Sequence, residues 1–274
     1  MSTLSRSWNL VRASWNVLRA DKELVIFPII SAFAAIAIMI VFAVPGFILF
    51  SVGGGEILGY VLLFLFYLTQ YTVLIFANSA LVGAALIRLR GGDPTVGDGL
   101  QIAFSRMGSI FGYALISSTV GLILQALSER GVIANIVRSI IGTAWNVATY
   151  LAVPVLVVEN VGPIEAIKKS AGLLKRTWGE QVVGGTGMGL VFFLLFLLAT
   201  VIAGAGIFLG LALELNLLII MFIIIGVIEY LVLALFSSTL SGIYSAAVYR
   251  YAAEGEMGQQ FAPELIQNAF RTKY

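Results

Sequence analysis

The chain contains no cysteine and no histidine, and only 11% of its residues are charged. The first two absences exclude disulfides, thiolate and imidazole metal sites, haem ligation by either residue, and Cys or His nucleophile–base pairs. Soluble domains carry roughly a quarter charged residues, so most of this surface faces something other than water. Paired acids, nucleotide fingerprints and aromatic-basic nucleic-acid surfaces are also missing. We expect no enzyme activity, no metal or cofactor, and no nucleic-acid partner.

Long apolar runs are what the chain has instead. Hydrophobic residues make up 60% of its 274 residues. Six runs each contain the ~20 apolar residues needed to cross a ~30 Å hydrocarbon core. They predict an all-α, polytopic membrane protein with six transmembrane helices in one domain, 1–274. The predicted spans are 24–50, 57–87, 108–127, 132–158, 183–210 and 216–249.

Lysine and arginine predict the orientation of these spans. If the N-terminus is inside, 14 of the 16 basic residues fall on the inner side, and only Arg130 and Arg138 fall outside. Cytoplasmic loops carry such an excess of basic residues, so both termini are expected in the cytoplasm. Anionic phospholipid is the natural neighbour of these side chains at the cytoplasmic face.

Short cytoplasmic segments that precede spans one, three and five resemble one another. Pro94 and Pro163 suit the first turn of a helix, so the second and third segments are predicted to start there. The sequence therefore favours three helix-plus-hairpin pseudo-repeats. In this division, 1–23 is an amphipathic interfacial helix, and the units with their connecting segments cover 24–93, 94–162 and 163–274.

The ends of spans two and six support this repeat. A single offset of 159 residues superposes polar as well as apolar positions, including Gln70 on Glu229 and Tyr71 on Tyr230. The alternative is that membrane helices resemble one another by composition alone.

Residues 14–24, with Phe27-Pro28 and Ser31 after them, resemble a family of uncharacterised prokaryotic six-helix integral membrane proteins, a domain of unknown function. The wider pattern, with Gly162-Pro163 before a basic helix, is similar to the membrane domain of some glycerophosphodiester phosphodiesterases. No phosphodiesterase domain accompanies it here, so the resemblance implies a fold and no catalysis. It also implies a multi-pass protein of the prokaryotic plasma (inner) membrane.

Residues 7–20 form a tandem heptad that places Trp8 and Trp15 on one helix face, flanked by Arg12 and Arg19. Tryptophan favours the headgroup level of a bilayer, and arginine there can reach lipid phosphates. The segment is predicted to lie on the cytoplasmic leaflet. The alternative is a structural collar packed against the ends of the bundle.

Glu229 is the main candidate for an intramembrane site. It lies 13 positions past Asn216, roughly 20 Å into the membrane. A carboxylate at that depth costs several kcal/mol unless it is paired or protonated. Helix spacing suggests that Arg138 lies at a comparable depth and Gln70 in span two, so these three side chains are predicted to form a polar binding layer. The alternative is that Arg138 reaches water and that Tyr71, Tyr230 or a neighbouring hydroxyl satisfies Glu229.

Further polar residues lie toward the cytoplasmic half of the spans, where interhelical hydrogen bonds are the commoner use for them. Pro45 and Pro154 are predicted to kink spans one and four. Paired glycines, such as Gly206 with Gly210, are expected to let helices approach closely. The polar residues are Asn78, Ser79, Asn146, Thr149, Ser237, Ser238 and Thr239.

The sequence leaves two kinds of function open. One is a small permease, channel or lipid-handling protein that uses the polar layer. The other is a non-catalytic membrane scaffold or partner subunit that binds lipid or protein through its amphipathic helices, as a homo-oligomer or with another membrane protein.

Overall fold

The computed structural model describes residues 3–51, 55–128, 132–178, 188–256 and 261. Over those residues the protein is all-helical, with one short 3-10 turn at Lys22–Val25. The α-helices are α1 Thr3–Ala20, α2 Ile26–Ser51, α3 Glu56–Leu89, α4 Val96–Ser105, α5 Met107–Ser128, α6 Val132–Thr149, α7 Ala152–Glu159, α8 Pro163–Trp178, α9 Gly189–Ala212 and α10 Asn216–Glu254.

Six stretches of the described helices are long and apolar enough to cross a bilayer, so the six predicted candidate spans are confirmed and the protein is consistent with a multi-pass membrane protein. The predicted start of span five, at 183, lies outside the described residues. The six stretches are Lys22–Leu49, Ile57–Leu89, Met107–Leu127, Ile133–Glu159, Gly189–Ala212 and Asn216–Glu254.

The long helices pack in sequential pairs, α2 with α3, α5 with α6, and α9 with α10. In each pair, the first helix ends and the second begins at the same end of the bundle, which we call the hairpin end. The opposite end carries Asp21, Arg88 and Arg250, and we call it the charged end. At 34 and 39 residues, α3 and α10 are about 51 and 58 Å long. Both exceed a ~30 Å hydrocarbon core, so part of each helix lies beyond it.

The buried core is concentrated toward the charged end. Val17 of α1, Leu81 of α3, Ile110 of α5, Leu156 of α7 and Ile243 of α10 are all essentially inaccessible. Toward the hairpin end the apolar side chains are exposed instead, as expected for helices that face lipid. Examples are Phe47, Ile57, Phe208 and Leu217.

Ion pairs join the helix ends at the charged end. Arg88 pairs with Asp21 and with Asp93, each at 2.9 Å, and so connects the end of α3 to the residue after α1. Burial raises the pKa of Asp21, although the hydrogen bond from Arg88 acts in the opposite direction. The buried Arg250 donates to the carbonyl of Leu89 and pairs with Glu254 and Glu256, which fastens α10 to α3.

A second set of contacts fastens α7 to its neighbours. Glu159 pairs with Lys169 of α8 at 2.8 Å and accepts a hydrogen bond of 3.2 Å from the Tyr249 hydroxyl of α10. The pKa of Lys169 is raised, chiefly by its hydrogen bond to Glu159.

Span four is broken into α6 and α7 at Tyr150 and Leu151. Pro154 explains the position of the break, because its ring collides with the carbonyl four residues earlier and it has no N–H to donate. The Leu151 N–H at the break donates to the buried Ser170 hydroxyl of α8 at 2.9 Å. The predicted kink at Pro154 is therefore a full interruption. Helix α2, in contrast, continues through Pro45.

Two short helices begin by different means. Helix α8 begins at Pro163, as predicted. Helix α4 begins at Val96 rather than at Pro94, because Thr95 and Asp98 form a reciprocal capping box. Hydrogen bonds from the backbone and hydroxyl of Thr95 lower the pKa of Asp98.

Candidate functional site

Helix α1 has one buried face and one exposed face. Leu10, Ser14 and Val17 are buried against the bundle. Trp8 and Trp15 are 56% and 38% exposed, and Arg12 and Arg19 are exposed as well. The Trp15 ring also lies 5.5 Å from the ring of Phe236 in α10. The geometry therefore combines a packed collar with an outward-facing tryptophan and arginine surface.

The residues of the predicted polar layer have separate surroundings. Gln70 donates to the Ala35 carbonyl of α2 at 3.2 Å. The Tyr230 hydroxyl forms a hydrogen bond with Thr200 of α9, and its ring lies 5.3 Å from Phe196. Glu229 is half-buried, and one of its carboxylate oxygens is buried without a hydrogen-bond partner in the described structure.

Arg138 is exposed on α6. That helix packs on α5, α7 and α8 but has no extended packing with α10, which carries Glu229. In the ranges that the structure describes, no hydrogen bond or ion pair joins Arg138, Glu229 and Gln70 to one another. A binding role for these residues stays a prediction.

A larger polar feature lies within the spans, where α3, α5, α6 and α10 surround a cavity of about 580 Å³. Cavities of this size hold small molecules in many proteins. Of the residues singled out above, Tyr71, Asn78, Asn146, Thr149 and Ser238 line it. The remaining lining residues are Leu74, Ile75, Tyr113, Ser117, Val120, Gly121, Leu124, Trp145, Tyr150, Val153, Pro154, Ser241, Gly242 and Ser245.

The cavity is polar toward the charged end. Asn78 of α3 lies at the level of Gly242 in α10, where the two helices cross closely. The Tyr113 hydroxyl of α5 interacts with the hydroxyls of Ser117 and of Thr149 in α6. These contacts place a polar side chain of α3 beside α10, and hydroxyl groups of α5 beside a hydroxyl of α6.

Toward the hairpin end the cavity becomes apolar. Here α5 contributes Val120, Gly121 and Leu124, and α6 contributes Trp145. A β-carbon added at Gly121 would lie 3.0 Å from the Tyr71 hydroxyl, so Gly121 lets α3 and α5 come close at this level.

The amides of the two asparagines that line the cavity are not hydrogen-bonded to the described part of the protein. The side chains of Asn78 and Asn146 are accessible and make no hydrogen bond within the described structure. An amide offers two donors and an acceptor. Both amides can therefore donate to and accept from a molecule in the cavity.

The described residues that line the cavity include no aspartate, glutamate, lysine or arginine. A charged ligand would therefore enter a region of low dielectric without a counter-charge, which is costly. Hydroxyl and amide groups can instead hold an uncharged polar group through hydrogen bonds. One side of the cavity is also open, because α10 packs on α3 and α9 and has no extended packing with α5 or α6.

The sequence pointed to part of this site only. The sequence indicates Asn78, Asn146, Thr149 and Ser238 as interior polar residues and favours helix packing for them, and it offers Tyr71 as a candidate of the polar layer. Ser241 and Ser245 were missed, although with Ser238 they follow one helix face at three- and four-residue spacing. This spacing of serines on one helix face is the sequence signal from which they could have been predicted. Also missed were Tyr113, Ser117 and Tyr150.

The model of a family of unknown function, DUF6159, matches residues 57–259, which include every described residue that lines the cavity. No curated protein matches the chain. The expected kinship with an uncharacterised family is confirmed, whereas the similarity to the phosphodiesterase membrane domain stays a prediction. Since the match covers most of its length, the chain belongs to DUF6159, a family of unknown function.

Proposed function

We propose that the protein binds a small molecule or lipid in the cavity between α3, α5, α6 and α10, and that it acts as a small permease or lipid-handling protein without catalysing a reaction. The observation that carries this proposal is a hydrogen-bonding cavity inside the spans, whose two asparagines make no hydrogen bond to the part of the protein that the structure describes. The absence of histidine and cysteine supports a binding role over a catalytic one.

We place the charged end in the cytoplasm of a prokaryotic cell, at its plasma membrane. The excess of lysine and arginine at this end supports that orientation. The same orientation puts both termini inside.

We also propose that the three helix-plus-hairpin units are pseudo-repeats. A short helix followed by long helices occurs three times in the element order. Gly46 lies against Leu62 in the first pair, and Gly206 lies against Phe222 in the third, with an offset of 160 residues for both members. This is one residue more than the offset of the polar positions.

A second function is favoured by α1. Its exposed Trp8, Trp15, Arg12 and Arg19 form a surface suited to anionic phospholipid at the cytoplasmic face. On this proposal the protein serves as a scaffold or partner subunit at the leaflet surface, alone or with a second membrane protein. Replacing Arg12 and Arg19 with glutamate should then reduce the anionic lipid that copurifies, while Asn16→Glu on the same helix serves as a control for added negative charge.

Native mass spectrometry of protein released from nanodiscs, with lipid analysis of the same sample, tests the cavity proposal. Ser238→Phe places a ring in the cavity, whereas Ser139→Phe adds the same ring at an exposed position of α6 outside it. We expect a stoichiometric bound molecule in the wild type and in Ser139→Phe, and its loss in Ser238→Phe. A protomer without any bound molecule, or one equally occupied in both variants, would contradict the proposal.

A further inference from the structure

The cavity's polarity changes along the membrane normal, and this gradient points to a class of ligand. The inference rests on the proposed binding function. We infer that the ligand is an uncharged amphiphile, namely a lipid whose small polar end carries hydroxyl or amide groups. Its polar end lies toward the charged end, and its hydrocarbon lies toward the hairpin end.

The direction of the gradient follows from the course of the helices. Helices α3, α6 and α10 run toward the charged end, and α5 runs away from it. Along α5, Tyr113 and Ser117 precede Val120 and Leu124. Along α6, in the opposite direction, Trp145 precedes Asn146 and Thr149, and the apolar Val153 and Pro154 of α7 follow at the margin of the cavity. From Tyr113 to Leu124 on α5, and from Thr149 to Trp145 on α6, the lining therefore passes from polar to apolar in the same spatial sense.

Independent contacts confirm the levels of these residues. Thr149 interacts with Tyr113, which joins α6 to α5 in the polar part. A β-carbon at Gly142 would lie 3.8 Å from Leu124, which joins the same two helices in the apolar part. The order of residues is thus the same on both helices, and most hydroxyl and amide groups of the described lining lie toward the charged end; the Tyr71 hydroxyl beside Gly121 is the exception in the apolar part.

The apolar part leads into the bilayer rather than into water. Beyond it, the hairpin end exposes the side chains of Ile223, Val227 and Leu231 in α10. A hydrocarbon chain can pass between α10 and α6, which have no extended packing with each other. A water-soluble solute would gain nothing from this apolar half, since its removal from water there is uncompensated.

The uncharged lining of the cavity argues against a phospholipid headgroup. Asn78 lies ten residues before Arg88 on α3, which corresponds to about 15 Å along the helix. Arg88 belongs to the charged end, where lipid phosphates have basic partners. A phosphate beside Asn78 would be separated from those partners, and none of the described lining residues carries a positive charge to replace them.

Native mass spectrometry of the protein in nanodiscs can measure the binding of three related probes, which represent a neutral lipid, a phospholipid and a water-soluble solute. Dioleoylglycerol is the neutral lipid, dioleoylphosphatidylglycerol has the same chains with a charged phosphate, and glycerol in the buffer has the hydroxyls without chains. We expect saturable binding of dioleoylglycerol in preference to the other two. Asn78→Leu and Asn146→Leu should each weaken it about tenfold. Asn135→Leu, at an exposed position of α6 outside the cavity, should leave it unchanged.

Each contrary result identifies what has failed. Preference for dioleoylphosphatidylglycerol, or equal binding of glycerol with the same sensitivity to Asn78→Leu, would overturn the neutral-lipid inference and leave the proposed function standing. Binding that neither asparagine variant changes would overturn the inference as well. If Ser238→Phe also has no effect on any bound molecule, the proposed cavity function fails with it.

Discussion

The charged end and the hairpin end of the protein are held together by different interactions. At the charged end α1, α3, α7, α8 and α10 converge on a buried core, and ion pairs such as Arg88–Asp21 join neighbouring helices. At the hairpin end most apolar side chains are exposed. The contacts there are mainly between the two helices of each pair, as where Gly206 meets Phe222.

This difference arises because the hairpin end faces lipid and the charged end faces water. Lipid tails are as apolar as leucine, so exposed apolar side chains at the hairpin end cost little and drive little association. The long helices extend beyond the hydrocarbon at the charged end, where burial of apolar surface is again favourable. The stability of the helix arrangement should therefore be concentrated at the charged end.

Replacing a leucine with alanine should give the largest difference between the two ends in the free energy of unfolding that is lost. Leu81 is 1% exposed and packs against Gly242, whereas Leu231 is 55% exposed. Leu81→Ala should lower the free energy of unfolding by about 3 kcal/mol because it leaves a cavity. Leu231→Ala should change it by less than about 0.5 kcal/mol. Reversible unfolding in mixed detergent micelles measures both, and equal losses would remove the distinction between the ends.

Replacing glycine with alanine tests the contacts between paired helices at the hairpin end. Gly206→Ala places a β-carbon against the Phe222 ring, so we expect a loss of about 2 kcal/mol in the same unfolding assay. Gly204 has nothing within 4 Å of a β-carbon, so Gly204→Ala should be neutral or stabilise α9 by up to about 1 kcal/mol. Similar results for the two variants would show that α9 and α10 do not depend on this close approach.

Acid should have a small effect that is confined to the charged end. The pKa of Asp98 is lowered by its hydrogen bonds from Thr95, so the capping box contributes stability above the ordinary pKa of 3.8 and loses it as the pH falls through the lowered value. Hydrogen exchange of the first turn of α4 should increase in that acidic range. Asp98→Asn should have faster exchange at neutral pH and little further change in acid; an unaltered pH dependence in this variant would assign the effect to another group.

Much of the fold could be predicted from the sequence because bilayer thickness imposes a length on each span. The six spans, the start of α8 at Pro163 and the interruption near Pro154 all follow from local rules. The start of α4 was misplaced by two residues, since the Thr95–Asp98 capping box outweighed the preference of Pro94 for a first turn.

The site was harder to predict, because it depends on which helices are neighbours. Equal spacing from the helix ends suggested that Arg138 and Glu229 lie at similar depth, but depth alone does not bring α6 to α10. The hydroxyl and amide residues of the cavity were visible in the sequence as isolated polar positions. Their common level became apparent only when contacts such as Tyr113 with Thr149 fixed the register between helices.

The uncharged lining of the cavity has an electrical consequence. Moving one elementary charge across a membrane potential of 100 mV involves about 2.3 kcal/mol. The neutral ligand that we propose would carry no such charge, and no charged residue lines the described cavity wall to move with it. Its passage or exchange would therefore produce no current and would be indifferent to the membrane voltage, so that a concentration gradient alone would set its direction.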